Sequence, residues 1–147
     1  MSATNALETA LLQLYFQNTN AANIGDATGL RGSTTAGSVF VSLHTADPGE
    51  AGTQTTSETA YTGYARLAVA RSAAGWTVAG NTASNAAALT FGTCTALPGA
   101  NITHFGIGSA ASGVGTLDFK GALGAAYTPA VSNAPTAAIG AITTTAE

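Results

Sequence analysis

The stretch "SVFVSLHTADPGEAG", residues 38–52, sets the pattern for most of the chain, because an alternating apolar run passes directly into turn residues. Val39, Val41 and Leu43 lie at alternate positions, which is the period of a β-strand with one face toward a core. The residues that follow are rich in hydroxyl, carboxyl, proline and glycine, which typically end a strand. The stretch therefore predicts a strand followed by a tight turn.

Each residue of the predicted turn has a physical reason to be there. Asp47 can accept a hydrogen bond from a backbone amide, Pro48 fixes φ near about −65°, and Gly49 tolerates a positive φ. His44 stands directly after the strand, where it can bond to the loop that it anchors, although the pattern also allows a ligand role. We interpret His44, Asp47, Pro48 and Gly49 as a structural turn.

Further along the chain, short strand-like segments are separated by clusters of Gly, Pro, Asn and Ser. They are "SVFVSL", "ARLAVAR", "GWTVAG", "AAALTF", "ITHFGI", "GTLDFKG" and "TAAIGAITT". This spacing is typical of an antiparallel β-sandwich or jelly roll, here of seven to nine strands. We therefore predict a mainly β, single-domain fold.

One segment has a helical period instead. In "TNALETALLQLYF", residues 4–16, an apolar stripe recurs at spacings of three, four, seven and eight, formed by Leu7, Ala10, Leu11, Leu14 and Tyr15. Thr4 or Asn5 can cap the helix, and Glu8 follows Asn5 by three residues as in a capping box. We expect the stripe to pack on the parent domain; a docking helix for a partner is the alternative.

The 147 residues are enough for one domain with its own core. We divide them into an N-terminal helix at 1–17, a polar connecting arm at 18–38 and a β-sandwich domain at 39–147. The arm is built from Asn, Gly, Thr and Ala, and long connections without periodicity are usually functional. We expect it to lie against a neighbouring subunit.

Charge is scarce: 7% of residues are charged, against about 25% in ordinary soluble domains. The net charge of −3 and the four Lys and Arg residues provide no basic surface, which argues against nucleic acid and membrane partners. A neutral surface suits a protein packed against other proteins, although secreted bacterial domains can have similar compositions. Glu8 interrupts the first apolar run and no positive segment precedes it, so we expect no signal peptide and folding in a cytoplasm.

Catalytic and cofactor motifs are weak in this sequence. "GIGSAA", residues 106–111, matches the dinucleotide pattern G-x-G-x-x-A after a predicted strand, but Gly113 and Gly115 discourage the helix that should follow. No G-x-S-x-G motif marks a nucleophilic serine. The carboxylates available for glycoside chemistry are scattered along the chain, at Asp47, Glu50, Glu58 and Asp118. We expect no catalytic residues and no cofactor.

The numbers of histidines and cysteines argue against a metal site and an intrachain disulfide. His44 and His104 are the two histidines, so a three-histidine zinc site is impossible. Cys94 is the single cysteine, which excludes an intrachain disulfide and favours a small buried hydrophobic role. We therefore predict no metal site.

Several motifs in a fixed order carry a resemblance. They are "VSLHTADPGEAG" at 41–52, "TGYARLAV" at 62–69, Trp76, "NAAALTFG" at 85–92, "ITHFGIGSAASG" at 102–113 and "LDFKGAL" at 117–123. Together they resemble a family of small bacteriophage virion proteins commonly labelled phage tail fibre protein, of the gp80-like kind. The resemblance implies a structural virion component without enzymatic activity or cofactor, and a β-rich fold with a leading helix.

The resemblance leaves the position in the particle open. One hypothesis is a capsid decoration, or cement, protein that binds the major capsid protein as a symmetric homo-oligomer, most simply a trimer. The alternative is a tail fibre or tail-tip protein whose partners are tail proteins of the same phage. Either would assemble in the host cytoplasm and reside in the virion. A carbohydrate-binding surface would need exposed aromatics, for which the candidates are Trp76, Tyr61, Tyr64 and Tyr127.

Overall fold

A computed structural model describes residues 3–22, 24, 32–96 and 99–146 of the chain. Within these ranges it contains one α-helix and nine β-strands, which confirms the mainly β class with one N-terminal helix. In chain order they are α1 (Asn5–Gln17), β1 (Ser38–His44), β2 (Leu67–Ala70), β3 (Trp76–Ala79), β4 (Thr82–Asn85), β5 (Leu89–Thr90), β6 (Ile102–Gly108), β7 (Leu117–Tyr127), β8 (Thr136–Ala137) and β9 (Thr143–Thr145).

The strands form three sheets rather than one continuous sheet. A four-stranded sheet has the order β2-β1-β6-β7, a three-stranded sheet the order β3-β4-β9, and β5 pairs with β8. The pairs β1–β6, β6–β7, β3–β4, β4–β9 and β5–β8 are antiparallel, as predicted.

Contacts divide the chain into two compact units. The first contains Met1–Ser38, Ala70–Ala87 and Ile139–Glu147, and the second contains Val39–Val69 and Ala88–Ala138. Helix α1 therefore shares a unit with β3, β4 and β9. The division at 1–17, 18–38 and 39–147 does not coincide with these units, and as a statement about domains it stays a prediction.

In the first unit, α1 packs on the three-stranded sheet. The Phe16 ring lies 4.5 Å from the Trp76 ring, and Gln17 Nε2 donates to the Trp76 carbonyl at 2.9 Å. Trp76, Ala83 and Ile142 are almost completely buried. Strand β4 was missed by the sequence analysis because "TASN" has no apolar alternation; it forms because Gly80, with φ of +59°, turns the chain back beside β3.

The buried face of α1 differs from the predicted one. The helix buries Glu8, Leu12 and Phe16, whereas Leu7 and Leu11 are 37% and 42% exposed. The predicted stripe was therefore wrong for Leu7 and Leu11, while its other members, Ala10, Leu14 and Tyr15, are half-buried. The two stripes compete on the same helix, and the buried one gains the large aromatic contact between Phe16 and Trp76. Thr4, one of the two predicted caps, is the N-cap, and Asn5 is already helical.

The second unit is organised around β1 and β6, which pair directly from Phe40–Gly108 to His44–His104. Alternating burial was expected in β1, but residues 41–44 are buried on both faces. The second face is covered because residues 53–59 return alongside the end of β1, forming an antiparallel bridge between His44 and Glu58. This return places two polar side chains, Ser42 and His44, in the interior.

Part of the polar arm folds back on itself. Asn18 Nδ2 donates to the Ser33 carbonyl and Asn18 Oδ1 accepts from the Ser33 amide, both at 2.7 Å. Asn20 Oδ1 accepts from the Gly32 amide at 2.8 Å. The rest of the predicted arm, residues 23 and 25–31, lies outside the described residues. Contact of the arm with a neighbouring subunit stays a prediction.

Candidate functional site

His44 occupies the centre of a polar cluster in the second unit. Its ring is 0% exposed, with Nδ1 at 2.8 Å from the Thr56 carbonyl and Nε2 at 2.8 Å from Ser42 Oγ. Because a carbonyl can only accept, Nδ1 carries the hydrogen and Nε2 accepts from the Ser42 hydroxyl. Burial lowers the pKa of His44, opposed by the bond to Thr56 and the nearby Glu58 carboxylate.

A serine and a histidine at this distance have the geometry of a nucleophile and its base. Both side chains are 0% exposed, however, and the β6 backbone lies directly against them. A Cβ built on Gly106 would lie 2.7 Å from His44 Nε2 and 2.8 Å from Ser42 Oγ. No substrate atom can reach this pair. We therefore assign the hydrogen bond between Ser42 and His44 a role in stabilising the fold.

The predicted turn lies at the surface beyond the end of β1. Asp47 Oδ1 accepts from the Gly49 amide at 2.9 Å, Gly49 has φ of +74°, and Pro48 is buried. The structure thus brings Asp47 and Gly49 together, whereas His44 bonds to Thr56 and not to the turn itself. The assignment of all four residues to one structural turn stays a prediction.

An exposed ion-pair group fastens this turn to β7. Lys120 Nζ lies 3.1 Å from Asp47 Oδ1 and 3.0 Å from Glu50 Oε1. The Gly49 amide, followed by Lys120, lowers the pKa of Asp47; the bonds to Glu50 and Asp47 raise the pKa of Lys120. Such exposed pairs are screened by solvent and contribute little to stability.

Glu58, Tyr64 and Arg66 form the second part of the cluster. Arg66 binds Glu58 through two bonds of 2.7 Å, and the side chain of Arg66 is only 3% exposed. Tyr64 donates to Glu58 Oε1 at 2.8 Å and accepts from the Leu43 amide at 3.0 Å. Burial raises the pKa of Tyr64, and the bond to Glu58 raises the pKa of Arg66. The guanidinium and the carboxylate thus form two parallel hydrogen bonds. A Lys side chain at position 66 could not reproduce this two-point geometry.

The cluster holds the connection between β6 and β7, residues 109–116, which we call the β6–β7 loop. Arg66 donates to the carbonyls of Ala110 at 2.9 Å and Gly113 at 2.8 Å. The buried Gln54 accepts from the Ala110 amide at 3.0 Å through its side-chain oxygen. Val114 at the tip of the loop is 65% exposed. Two buried side chains therefore fix the backbone of a loop whose tip faces solvent.

A cavity of about 250 Å³ lies beside this ion pair, lined by Glu58, Tyr64, Ala65, Arg66, Ala111, Ser112 and Gly113. Its charged groups already bond to one another and to the loop backbone. Glu58 and Arg66 therefore stabilise the β6–β7 loop, and their polar atoms are already engaged in bonds within the chain. The "GIGSAA" pattern runs from the end of β6 into this loop. A Cβ at Gly108 in the pattern, or at Gly115 in the loop, would meet the Gln54 side chain, which gives both glycines a local structural cause.

The sequence analysis did not find this cluster. Glu58 was noted as one of several scattered acids, Arg66 was not considered as a functional residue, and Gln54 carries no motif. A usable signal was the scarcity of charge, because in a chain with four basic and seven acidic residues each buried charge needs a partner. The partner's position still depends on the return of residues 53–59 along β1, which local patterns do not show.

The other residues that the sequence analysis considered for binding are buried or lie close to polar groups of the same chain. Trp76 and Tyr61 are 0% and 2% exposed, so neither ring can stack on a sugar. Cys94 is buried, with its sulfur 3.4 Å from the Ala96 carbonyl. His104 Nδ1 lies 2.9 Å from Thr103 Oγ1.

Within the described residues, no cluster of three or more His, Cys, Asp or Glu side chains is placed to bind a metal ion. In the same part of the chain, no helix has both the length and the apolar composition needed to span a membrane. The absence of a cofactor, metal or catalytic residue stays a prediction.

The sequence of the chain can be compared with curated proteins and with protein families. Among curated proteins, none matched the chain. Among protein families, one matched residues 2–145, which is nearly the whole sequence. The chain belongs to the Gp80 family, described as podophage GP4 fiber I protein gp80, and it is accordingly a structural component of a phage particle.

Proposed function

We propose that the chain is a non-enzymatic building block of a tail fibre, joined to other tail proteins of the same phage. The observation that carries the proposal is the family match over residues 2–145, whose description names a fibre protein. The polar cluster supports it, because its groups bond to one another and hold a surface loop. Buried hydrogen-bond networks whose groups are satisfied make a structure rigid, and a rigid surface loop suits a fibre component.

We further propose that the chain works as a homo-oligomer, most simply a trimer, assembled in the host cytoplasm. The chain has only four basic and seven acidic residues, so few like charges oppose association between copies. Leu7 and Leu11 on α1 and Val114 on the β6–β7 loop provide exposed apolar surface. Apolar contacts of this kind contribute to the centre of protein interfaces.

Capsid decoration is the second candidate, with the major capsid protein as partner. The nearly uncharged surface favours it as much as it favours a fibre, since cement proteins also pack many copies against a shell. Many added contacts would stabilise the intact shell over dissociated capsomers by linkage. The family description refers to a fibre, so we place decoration second.

Copy number separates the two candidates. The copies of this chain per particle are measured by quantitative mass spectrometry in purified virions and in heads that lack tails, with the major capsid protein as the reference. A fibre protein is expected at a few copies per virion and is absent from tailless heads. Tailless heads that carry it in numbers comparable with the major capsid protein would reject the fibre proposal in favour of decoration.

A further inference from the structure

The loop of residues 45–58, which we call the covering loop, closes over the ring of His44. Three hydrogen bonds hold it closed: His44 Nδ1 of β1 bonds to the Thr56 carbonyl at 2.8 Å, the Thr45 and Ser57 ends of the loop bond to each other at 2.8 Å, and directly after the loop the Thr59 amide bonds to the Leu43 carbonyl of β1 at 2.9 Å. The backbone of β6 at Gly106 closes the other side of the ring. Water can therefore reach His44 only when the covering loop moves.

Charged and titratable groups surround the ring on each element that packs against it. Glu58 lies at the end of the covering loop and is bridged to His44, while His104 faces it across the β1–β6 pair. Arg66 lies just before β2 and also acts on His44 electrostatically. The Glu58 carboxylate is already bound by Arg66 through two hydrogen bonds, so it cannot turn to His44 without breaking them.

A second proton on His44 would disturb this arrangement in two ways. Both ring nitrogens would then donate, so the Ser42 hydroxyl would have to stop donating to Nε2 and turn its hydrogen elsewhere in a buried site. The new positive charge would also lie near Arg66 and His104 without water. Opening the covering loop relieves both costs, because it hydrates the imidazolium.

We propose that His44 is an acid-sensitive latch, whose protonation releases the covering loop while β1 stays paired with β6. The proposal does not depend on whether the chain is a fibre or a decoration protein. It concerns a region that also carries Asp47 and Glu50, the residues that bind Lys120 on β7. Release of the loop would therefore also separate this ion-pair group.

The direction of the pH effect follows from linkage. The pKa of His44 is lowered in the closed loop, so the open state binds the proton more readily. The stability that closure provides is complete above the ordinary histidine pKa of about 6.5 and is lost progressively as the pH falls below it. The interval between pH 7.5 and about 5.5 spans the ordinary histidine pKa and lies above the ordinary values of Asp and Glu side chains.

Hydrogen exchange at the Thr45 and Thr59 amides tests the latch in the full-length protein. The Thr45 amide joins the two ends of the loop, and the Thr59 amide joins the residue after the loop to β1. Their exchange is measured by NMR at pH 7.5 and 5.5 after correction for intrinsic rates. We expect the opening constant to rise about tenfold, as a released histidine with a pKa of about 6.5 requires. Exchange that does not change between the two pH values would overturn the proposal.

Two variants assign the effect to one histidine. His44→Gln keeps a donor and an acceptor but cannot be protonated, so its loop exchange should be independent of pH. His104→Gln is the matched control on the facing strand and should keep most of the tenfold rise. A tenfold rise that persists in His44→Gln would assign the effect elsewhere and reject the latch.

If His44→Gln does not fold, the wild-type ring decides the question. The His44 ring carbons are followed by NMR through the same pH range, with unfolding monitored by the dispersion of the spectrum. The latch predicts that the ring titrates with the same midpoint as the loss of amide protection. A ring that becomes protonated while Thr45 and Thr59 stay protected would contradict it.

Discussion

At the scale of single residues, Arg66 joins the half-buried carboxylate of Glu58 to the backbone of the β6–β7 loop. It binds Glu58 at two points and the carbonyls of Ala110 and Gly113. Its replacement would leave Glu58, whose side chain is only 16% exposed, without its counter-ion. A buried charge without a partner is much more costly than the loss of an exposed pair.

We therefore expect Arg66→Met to lower the free energy of unfolding by about 3 kcal/mol. Arg66→Lys should recover only part of this, because an ammonium group cannot reproduce the two-point geometry. Lys120→Met is the matched control, since Lys120 joins an exposed ion-pair group, and it should leave the free energy nearly unchanged. Urea unfolding measures all three; equal losses for Arg66→Met and Lys120→Met would contradict this account of the cluster.

Gly49 provides a second test at this scale, because its φ of +74° is one that side chains rarely adopt. We expect Gly49→Val to cost more than about 1 kcal/mol, since a β-branched residue is strongly disfavoured there. Gly124→Val is the control: no atom lies within 4 Å of the position that a Cβ would occupy, and its φ lies outside the left-handed region. Thermal unfolding that shows no difference between these variants would remove the role given to Gly49.

The residues of this site differ in how far the sequence could predict them. The bond from the Gly49 amide to Asp47 and the positive φ of Gly49 follow from the sequence, because a turn depends on consecutive residues. His44 was expected to bond to the loop, but its bond to Thr56 depends on the return of residues 53–59 along β1. The Glu58–Arg66 pair spans eight residues and depends on the same return. Local chemistry was therefore predictable, and contacts made by the return were not.

At the scale of elements, α1 is held at its C-terminal end by a residue from outside the helix. Arg71 donates to the carbonyls of Tyr15 at 2.6 Å, Leu14 at 2.7 Å and Ala36 at 3.1 Å. The last turn of α1 contains no basic residue of its own. A cation at this end satisfies free carbonyls and opposes the negative end of the helix dipole.

Replacement of Arg71 by Gln should therefore loosen α1 and lower the free energy of unfolding by about 1–2 kcal/mol. Arg71→Lys should restore the charge but not all three hydrogen bonds, so it should lie between Gln and wild type. Circular dichroism at 222 nm measures the helix, and urea unfolding measures stability. A lysine variant as stable as wild type would show that charge alone is sufficient.

The helix also shows what an element's sequence can predict. Its existence followed from a clear helical period, and Thr4 was one of the two expected caps. The buried face did not follow, because Leu7 and Leu11 compete with Leu12 and Phe16, and only the position of Trp76 decides between them. Strand β4 was missed for a related reason: its polar residues form a strand because β3 and β9 pair with it.

At the scale of the whole molecule, the low charge predicted a protein that packs against other proteins. It could not distinguish a location in a fibre from a location on the capsid surface. Both surroundings suit a chain in which 7% of residues are charged. The order of the motifs predicted the class of phage virion proteins, and the family match confirms that class. The position in the particle depends on contacts with other chains, which the fold of one chain does not contain.

The central claim is that this protein is part of a fibre, and cryo-electron microscopy of virions tests it most directly. Particles of the wild-type phage are compared with particles from which this gene has been deleted. We predict that the deletion removes density from the fibres on the tail and leaves the capsid shell unchanged. Loss of density from the capsid surface, with intact fibres, would contradict the account.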